Sequence, residues 1–302
     1  MMYHTNYLVY YARARADVLG LSEIARLQRE CGISLVERRI LHVRFFDSAR
    51  LGEECAVVTT LFSVNFEAGT LTFNHVFNRG LDGSGKTLNR AVVEVGFVQS
   101  DGTAIAPLPS SLGFGAKGPL IAPCTAPRVF GGAPARCPAT GVATQGGGGG
   151  HVVPLRCHGD LCDTSGRVQM HLILDAFERA RSAGMGGPVT LQRCQDESDH
   201  IFVVGRMDHI HISGKAEYGR DFEVRSYVEL KYRNVCIVFH HQLWPCSADA
   251  GACGGCAAEA DGAQVPLIEA AVSVYSITAK DKSPVPVPDW LEKLITPFLI
   301  KR

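Results

Sequence analysis

Residues 163–181 read DTSGRVQMHLILDAFERAR. The first four are good turn formers. After them Val168, Leu172, Ile173, Ala176 and Phe177 recur at the spacing of one helical face. The same text occurs near the start of the chain. "YARARADVLGL" from Tyr11 answers "FERARSAGMGG" from Phe177, so Arg13 and Arg15 fall on Arg179 and Arg181. There Tyr7, Tyr10, Tyr11, Ala14 and Val18 mark the apolar face of a helix.

Working outward, three further matches keep the order. "LQREC" at 27–31 answers "LQRCQ" at 191–195, and "RLGEECAVVTTL" from Arg50 answers "EYGRDFEVRSYV" from Glu217. "VEVGFVQSDGTAIAPLPSSL" from Val93 answers "VSVYSITAKDKSPVPVPDWL" from Val272. Four matches in register predict a tandem duplication, with a period far too long for a solenoid. Each copy reads as one long helix followed by alternating strands, such as "TLTFNHVFN" and "NVCIVFHHQLW". A sheet with one apolar face and a single helix to cover it is an α+β unit. Between the copies lies "APCTAPRVFGGAPARCPATGVATQGGGGG", without periodicity and rich in Pro, Gly and Ala. The expected domains are therefore 1–112, a linker at 113–150, and 151–302 with a Cys/Gly-rich hairpin insert at 245–264.

The chain has 302 residues, 46% of them hydrophobic and 20% charged, with no formal net charge. That balance gives no basic excess for nucleic acid or for an anionic membrane surface, and no apolar run reaches the length of a spanning helix. Eleven cysteines in a chain without a secretory signal argue against a disulfide framework. The one dense group, Cys253 and Cys256 with Cys246 upstream, lacks a second ligand pair and reads as a small-residue loop, so no metal is expected. "GLDGSGKT" at 80–87 matches the spacing of a phosphate-binding loop, but a strand pattern follows it where a helix is required. It reads as a hairpin turn. Asp47 and Asp221 read as solvated strand starts.

With this architecture in hand, Tyr3-His4-Thr5-Asn6-Tyr7-Leu8 running on to Arg13-Ala14-Arg15 resembles the hotdog-fold acyl-CoA thioesterases of the 4-hydroxybenzoyl-CoA thioesterase type. Asp163, Gly166 and the Phe177-to-Arg181 stretch carry the same resemblance in the second copy. It implies two tandem hotdog domains, each an antiparallel sheet wrapped round one central helix, and a hydrolase needing no cofactor. It also implies that a carboxylate before the helix attacks the thioester or activates water. Backbone amides at the helix start would then hold the developing oxyanion. Carried over, the carboxylate is Asp163 and the backbone donor is Met170, with His4 as the donor in the first copy. Gly166, Tyr3, Asn6 and His171 would line the substrate.

The match departs from the pattern twice. The first copy's carboxylate and leading strand would fall before Met1. In the second copy the Tyr-His-x-Asn-Tyr segment has become Gln169-Met170-His171-Leu172-Ile173. Asp163 also fits a plain turn or N-cap. Three readings follow: a thioesterase acting on acyl-CoA or acyl-carrier-protein substrates, a degenerate hotdog that binds thioesters or serves as a scaffold, and an acyl-thioester dehydratase, whose Asp/His hydration motif is not found. The protein is expected in the cytoplasm, self-associating through its sheets. A targeting segment upstream of Met1 is the alternative.

Overall fold

The structure is a computed structural model that describes residues 6–50, 52–99, 103–105, 120–125, 150–156, 167–246 and 265–300. The chain divides into two compact units, Met1–Pro138 and Ala139–Arg302.

The first unit holds α1 (Asn6–Leu19), α2 (Leu21–Cys31), β1 (Ser34–Phe45), β2 (Glu54–Asn65), β3 (Thr70–Arg79), β4 (Thr87–Val98) and β5 (Leu120–Thr125). Its strands lie in the order β5-β2-β3-β4-β1, all antiparallel. The second unit holds β6 (His151–Arg156), α3 (Met170–Gly184), α4 (Gly187–Ser198), β7 (His200–Ile212), β8 (Asp221–Lys231), β9 (Cys236–Pro245), β10 (Ile268–Thr278) and α5 (Asp289–Ile295). Its order is β6-β8-β9-β10-β7. These are the antiparallel sheets and central helices of the hotdog architecture.

Each central helix buries most of the stripe that periodicity predicts, with Tyr10 and Leu172 only half-buried. In α1 the buried residues are Tyr7, Leu8, Tyr11, Ala14, Arg15 and Val18; in α3 they are Ile173, Leu174, Ala176, Phe177, Ala180 and Arg181. Val168, expected on the second stripe, precedes the helix and pairs its N–H with the Ala216 carbonyl at 2.9 Å. The strands alternate accordingly: β3 buries Leu71, Phe73, His75 and Phe77 on one face.

Two expectations need correction. Each unit carries two helices in its first part, not one. Gly20 breaks the run at φ 92° and starts α2; Gly186 at φ 84° separates α3 from α4. At Gly186 a Cβ would lie 2.4 Å from the Thr190 hydroxyl. Second, the 113–150 stretch is not wholly irregular. Its residues 120–125 form β5, which pairs with β2 from Glu54↔Thr125 to Thr59↔Leu120. The sheet position beside β2 is thus filled by a strand that follows the sheet in sequence. In the second unit the matching place, beside β8, is filled by β6, which precedes its helix. Both edge strands contain proline, Pro123 and Pro154, tolerated because one side of an edge makes no ladder bonds.

The "GLDGSGKT" stretch is the β3–β4 turn. Gly80 and Gly83 have positive φ, and Lys86 pairs with Asp47 at 2.9 Å. Asp47 is therefore not merely solvated, since Arg79 also reaches it at 3.2 Å. No described helix is long and apolar enough to cross a membrane.

Candidate functional site

Helix α3 starts without a side-chain cap. Gln169 takes an extended conformation, and its carbonyl accepts from the N–H groups of Leu172 (3.0 Å) and Ile173 (3.3 Å). The Met170 N–H opens the first turn, ahead of any intrahelical acceptor and at the positive end of the helix dipole. The entry is held by the Val168–Ala216 bond and by an antiparallel bridge between Arg167 and Glu217. His171 follows, half-buried and partnered. Asn6 is the first residue of α1. Asp163, Gly166, Tyr3 and His4 lie outside the described residues, as do Cys253 and Cys256. Among the described residues no group of three or more His, Cys, Asp or Glu is arranged to hold a metal ion.

Deeper under each central helix lies a polar cluster that sequence reading missed. In the first unit the Arg15 guanidinium, 3% exposed, pairs with Glu37 and reaches His75 Nε2 at 3.4 Å. His75 Nδ1 meets the Thr59 hydroxyl at 2.9 Å, and Tyr11 stacks on the imidazole at 4.7 Å. Arginine only donates, so His75 Nε2 must accept and Nδ1 must carry the proton it donates to Thr59. In the second unit Arg181 lies over the Phe239 ring, His241 Nδ1 meets the Ser226 hydroxyl at 2.8 Å, and Phe177 stacks on His241 at 5.1 Å. His241 Nε2 is buried without a partner among the described residues. The pairs Tyr11/Phe177, Arg15/Arg181, Phe73/Phe239 and His75/His241 are each separated by 166 positions. That constant offset was the available signal. Of the adjacent His240 and His241, only His241 faces inward.

Burial, reinforced by the neighbouring arginine, holds both imidazoles well below their ordinary pKa. Arg15, Thr59, Tyr11 and Phe73 face His75; Arg181, Ser226, Phe177, Phe239, His240 and His151 surround His241. Each is neutral when folded and takes up a proton near pH 6.5 when unfolded. Stability is therefore full above that pH and falls below it by about 1.4 kcal/mol per pH unit for each imidazole. In urea titrations of the whole chain between pH 6.5 and 5, His75→Leu should flatten the slope by one such increment. An unchanged slope would refute the assignment.

Glu178 shifts the other way. Burial raises its pKa to about 7, with Asp175 adding to the rise, while Arg181 at 3.9 Å and Arg179 oppose it. A raised folded pKa means stability that is present below about pH 4.5 and lost as pH climbs to 7. Glu178→Gln should therefore stabilise the chain at pH 8 by about 3 kcal/mol and do little at pH 4. Equal effects at the two pH values would contradict this.

Residues 1–113 match the family model of the thioesterase-like superfamily. A search of curated proteins returned no match. Among solved structures, a putative oleoyl thioesterase from Lactobacillus plantarum is 11% identical, with 90% of this chain and 86% of that one covered at a TM-score of 0.59. An acyl-ACP thioesterase from Bacteroides thetaiotaomicron is 14% identical over 89% and 87%, TM-score 0.53. The 12:0-ACP thioesterase from Umbellularia californica is 10% identical over 82% and 75%, TM-score 0.51. At these identities the likeness is one of fold.

Proposed function

From a hotdog-fold chain whose residues 1–113 match the thioesterase-like superfamily, we propose an enzyme that hydrolyses acyl thioesters of coenzyme A or a carrier protein. The observation that carries the reading is the uncapped start of α3, with the Met170 amide opening the first turn seven residues after Asp163. The substrate carbonyl oxygen would lie at that amide, where the negative charge developed during attack is stabilised by the N–H and the helix dipole. The Asp163 carboxylate would take a proton from water as the water oxygen bonds to the carbonyl carbon. Collapse of the adduct breaks the C–S bond. The thiolate recovers the proton, leaving a free acid and a thiol.

Gly166 and His171 are proposed to line the substrate in the second copy; in the first copy Tyr3 and Asn6 would do so, with the His4 backbone N–H as the oxyanion donor. The same spatial strand order in both units, together with the twin buried clusters, supports a duplicated hotdog with domains near 1–112 and 151–302. A second reading, a thioester-binding protein without turnover, is favoured by the Gln169–Ile173 replacement. A panel of acyl-CoAs of differing chain length, assayed for thiol release, separates the two. Turnover supports the hydrolase; retained binding without turnover overturns it.

A further inference from the structure

The sheet face of the first unit turned away from α1 carries four arginines. Register places them. Val43↔Ala91 and Ile40↔Val93 face the core, so Arg44↔Arg90 and Arg39↔Glu94 face outward. Arg38, at a register shift, lays its aliphatic stem against Gly96, where a Cβ would lie 3.0 Å from Arg38 Cγ. Arg39, Arg44 and Arg90 are exposed. None of the four makes an ion pair among the described residues, although Glu94 stands opposite Arg39. Arg44 and Arg90 are direct cross-strand neighbours, a like-charge pairing that costs stability in isolation.

The rest of the face is weakly apolar. Val36, Val58, Val76 and Val92 are half-buried along it. Phe62 protrudes at a bulge in β2 with 73% of its surface exposed, Phe66 follows at 47%, and Phe46 lies just past Arg44 at 57%. The outer face of the second unit offers a control. There Glu229 meets His240 and Lys231, Arg225 meets Glu223 and covers Trp244, and Gln242 meets Glu269. That face satisfies its own charges, whereas the first unit's does not.

We propose that this face of the first unit binds an anionic lipid surface, with the arginines at the headgroups and Phe62 and Phe66 entering the acyl boundary. A cluster of arginines on one sheet face, without ion pairs among the described residues, matches a negatively charged leaflet. Exposed phenylalanines beside basic residues suit burial at the headgroup/acyl boundary, where apolar area and attraction to anionic lipid add. The chain's zero net charge hides this local excess. The proposal stands apart from the reaction and does not depend on it.

The test is co-sedimentation of the full chain with vesicles of phosphatidylcholine alone or mixed with phosphatidylglycerol. Binding is expected on the mixed vesicles, weakening with added salt. R44Q/R90Q should lower the partition coefficient about 30-fold. Phe62→Ser should lower it roughly tenfold. Both variants alter exposed side chains and should keep the wild-type unfolding midpoint. Equal binding to neutral vesicles, or unaltered binding by R44Q/R90Q, overturns the proposal. So does binding of soluble polyglutamate without vesicle binding, which would mark the face as a dock for an acidic protein.

Discussion

Asp163→Asn is expected to lower acyl-thioester turnover by at least about a hundredfold, and more nearly ten thousandfold if the carboxylate is the sole base. Asparagine keeps the size and the turn-forming capacity of aspartate but cannot accept a proton. A residue serving only as a turn or cap tolerates that exchange at a cost of a few tenths of a kcal/mol. The variant thus separates the chemical role from the architectural one. The readout is kcat and KM for thiol release, beside the urea unfolding midpoint. Collapse of kcat with an unchanged midpoint supports Asp163 as the base. Activity within threefold of wild type would refute that assignment. Met170 cannot be tested the same way, because its proposed donor is a backbone N–H that any side chain except proline retains.

The second large effect belongs to Arg15. Its guanidinium is almost wholly buried, and burial opposes its charge while Glu37 favours it. Arg15→Ala removes one partner of a buried pair and empties the space beneath α1. It also takes the donor away from His75 Nε2. The expected loss is about 3 kcal/mol, at the lower end of the range for such removals because Glu37 keeps 29% of its side chain in water. Arg15→Met with Glu37→Leu should recover most of it, since well-packed apolar replacements of buried pairs are near neutral. Chemical denaturation of the whole chain measures both. A loss under 1 kcal/mol for the single variant would show that the cluster does not hold the helix.

The architecture was legible because two periods are strong in this chain: the helical spacing of Tyr7, Tyr11, Ala14 and Val18, and the strict alternation of β3 and β10. Four other features were not. Helix α2 is amphipathic, with Leu21, Ile24 and Leu27 at helical spacing, but it follows α1 after the single residue Gly20 and reads as part of one long helix. The β5 segment has a proline at its centre and sits in a stretch of Gly, Pro and Ala that looks structureless until β2 provides an edge. The buried arginines lie at apolar positions of their helices, where charge argues against burial until the partner is known. The arginine face was invisible because composition averages it against the acidic residues elsewhere. Of the proposed site, sequence supplied the residues and spacing; the structure adds the uncapped start of α3 and the anchoring of Val168 and Arg167.

The origin of β5 has a consequence for the nascent chain. Residues 54–65 leave the ribosome well before residues 120–125, and their free ladder edge is open for that interval. The second unit has the opposite order, since β6 is already synthesised when its partner β8 emerges. At this position of the sheet, templated mispairing during translation is therefore a hazard of the first unit and not of the second. Chaperone occupancy on ribosome-bound chains should peak before residue 125 is released.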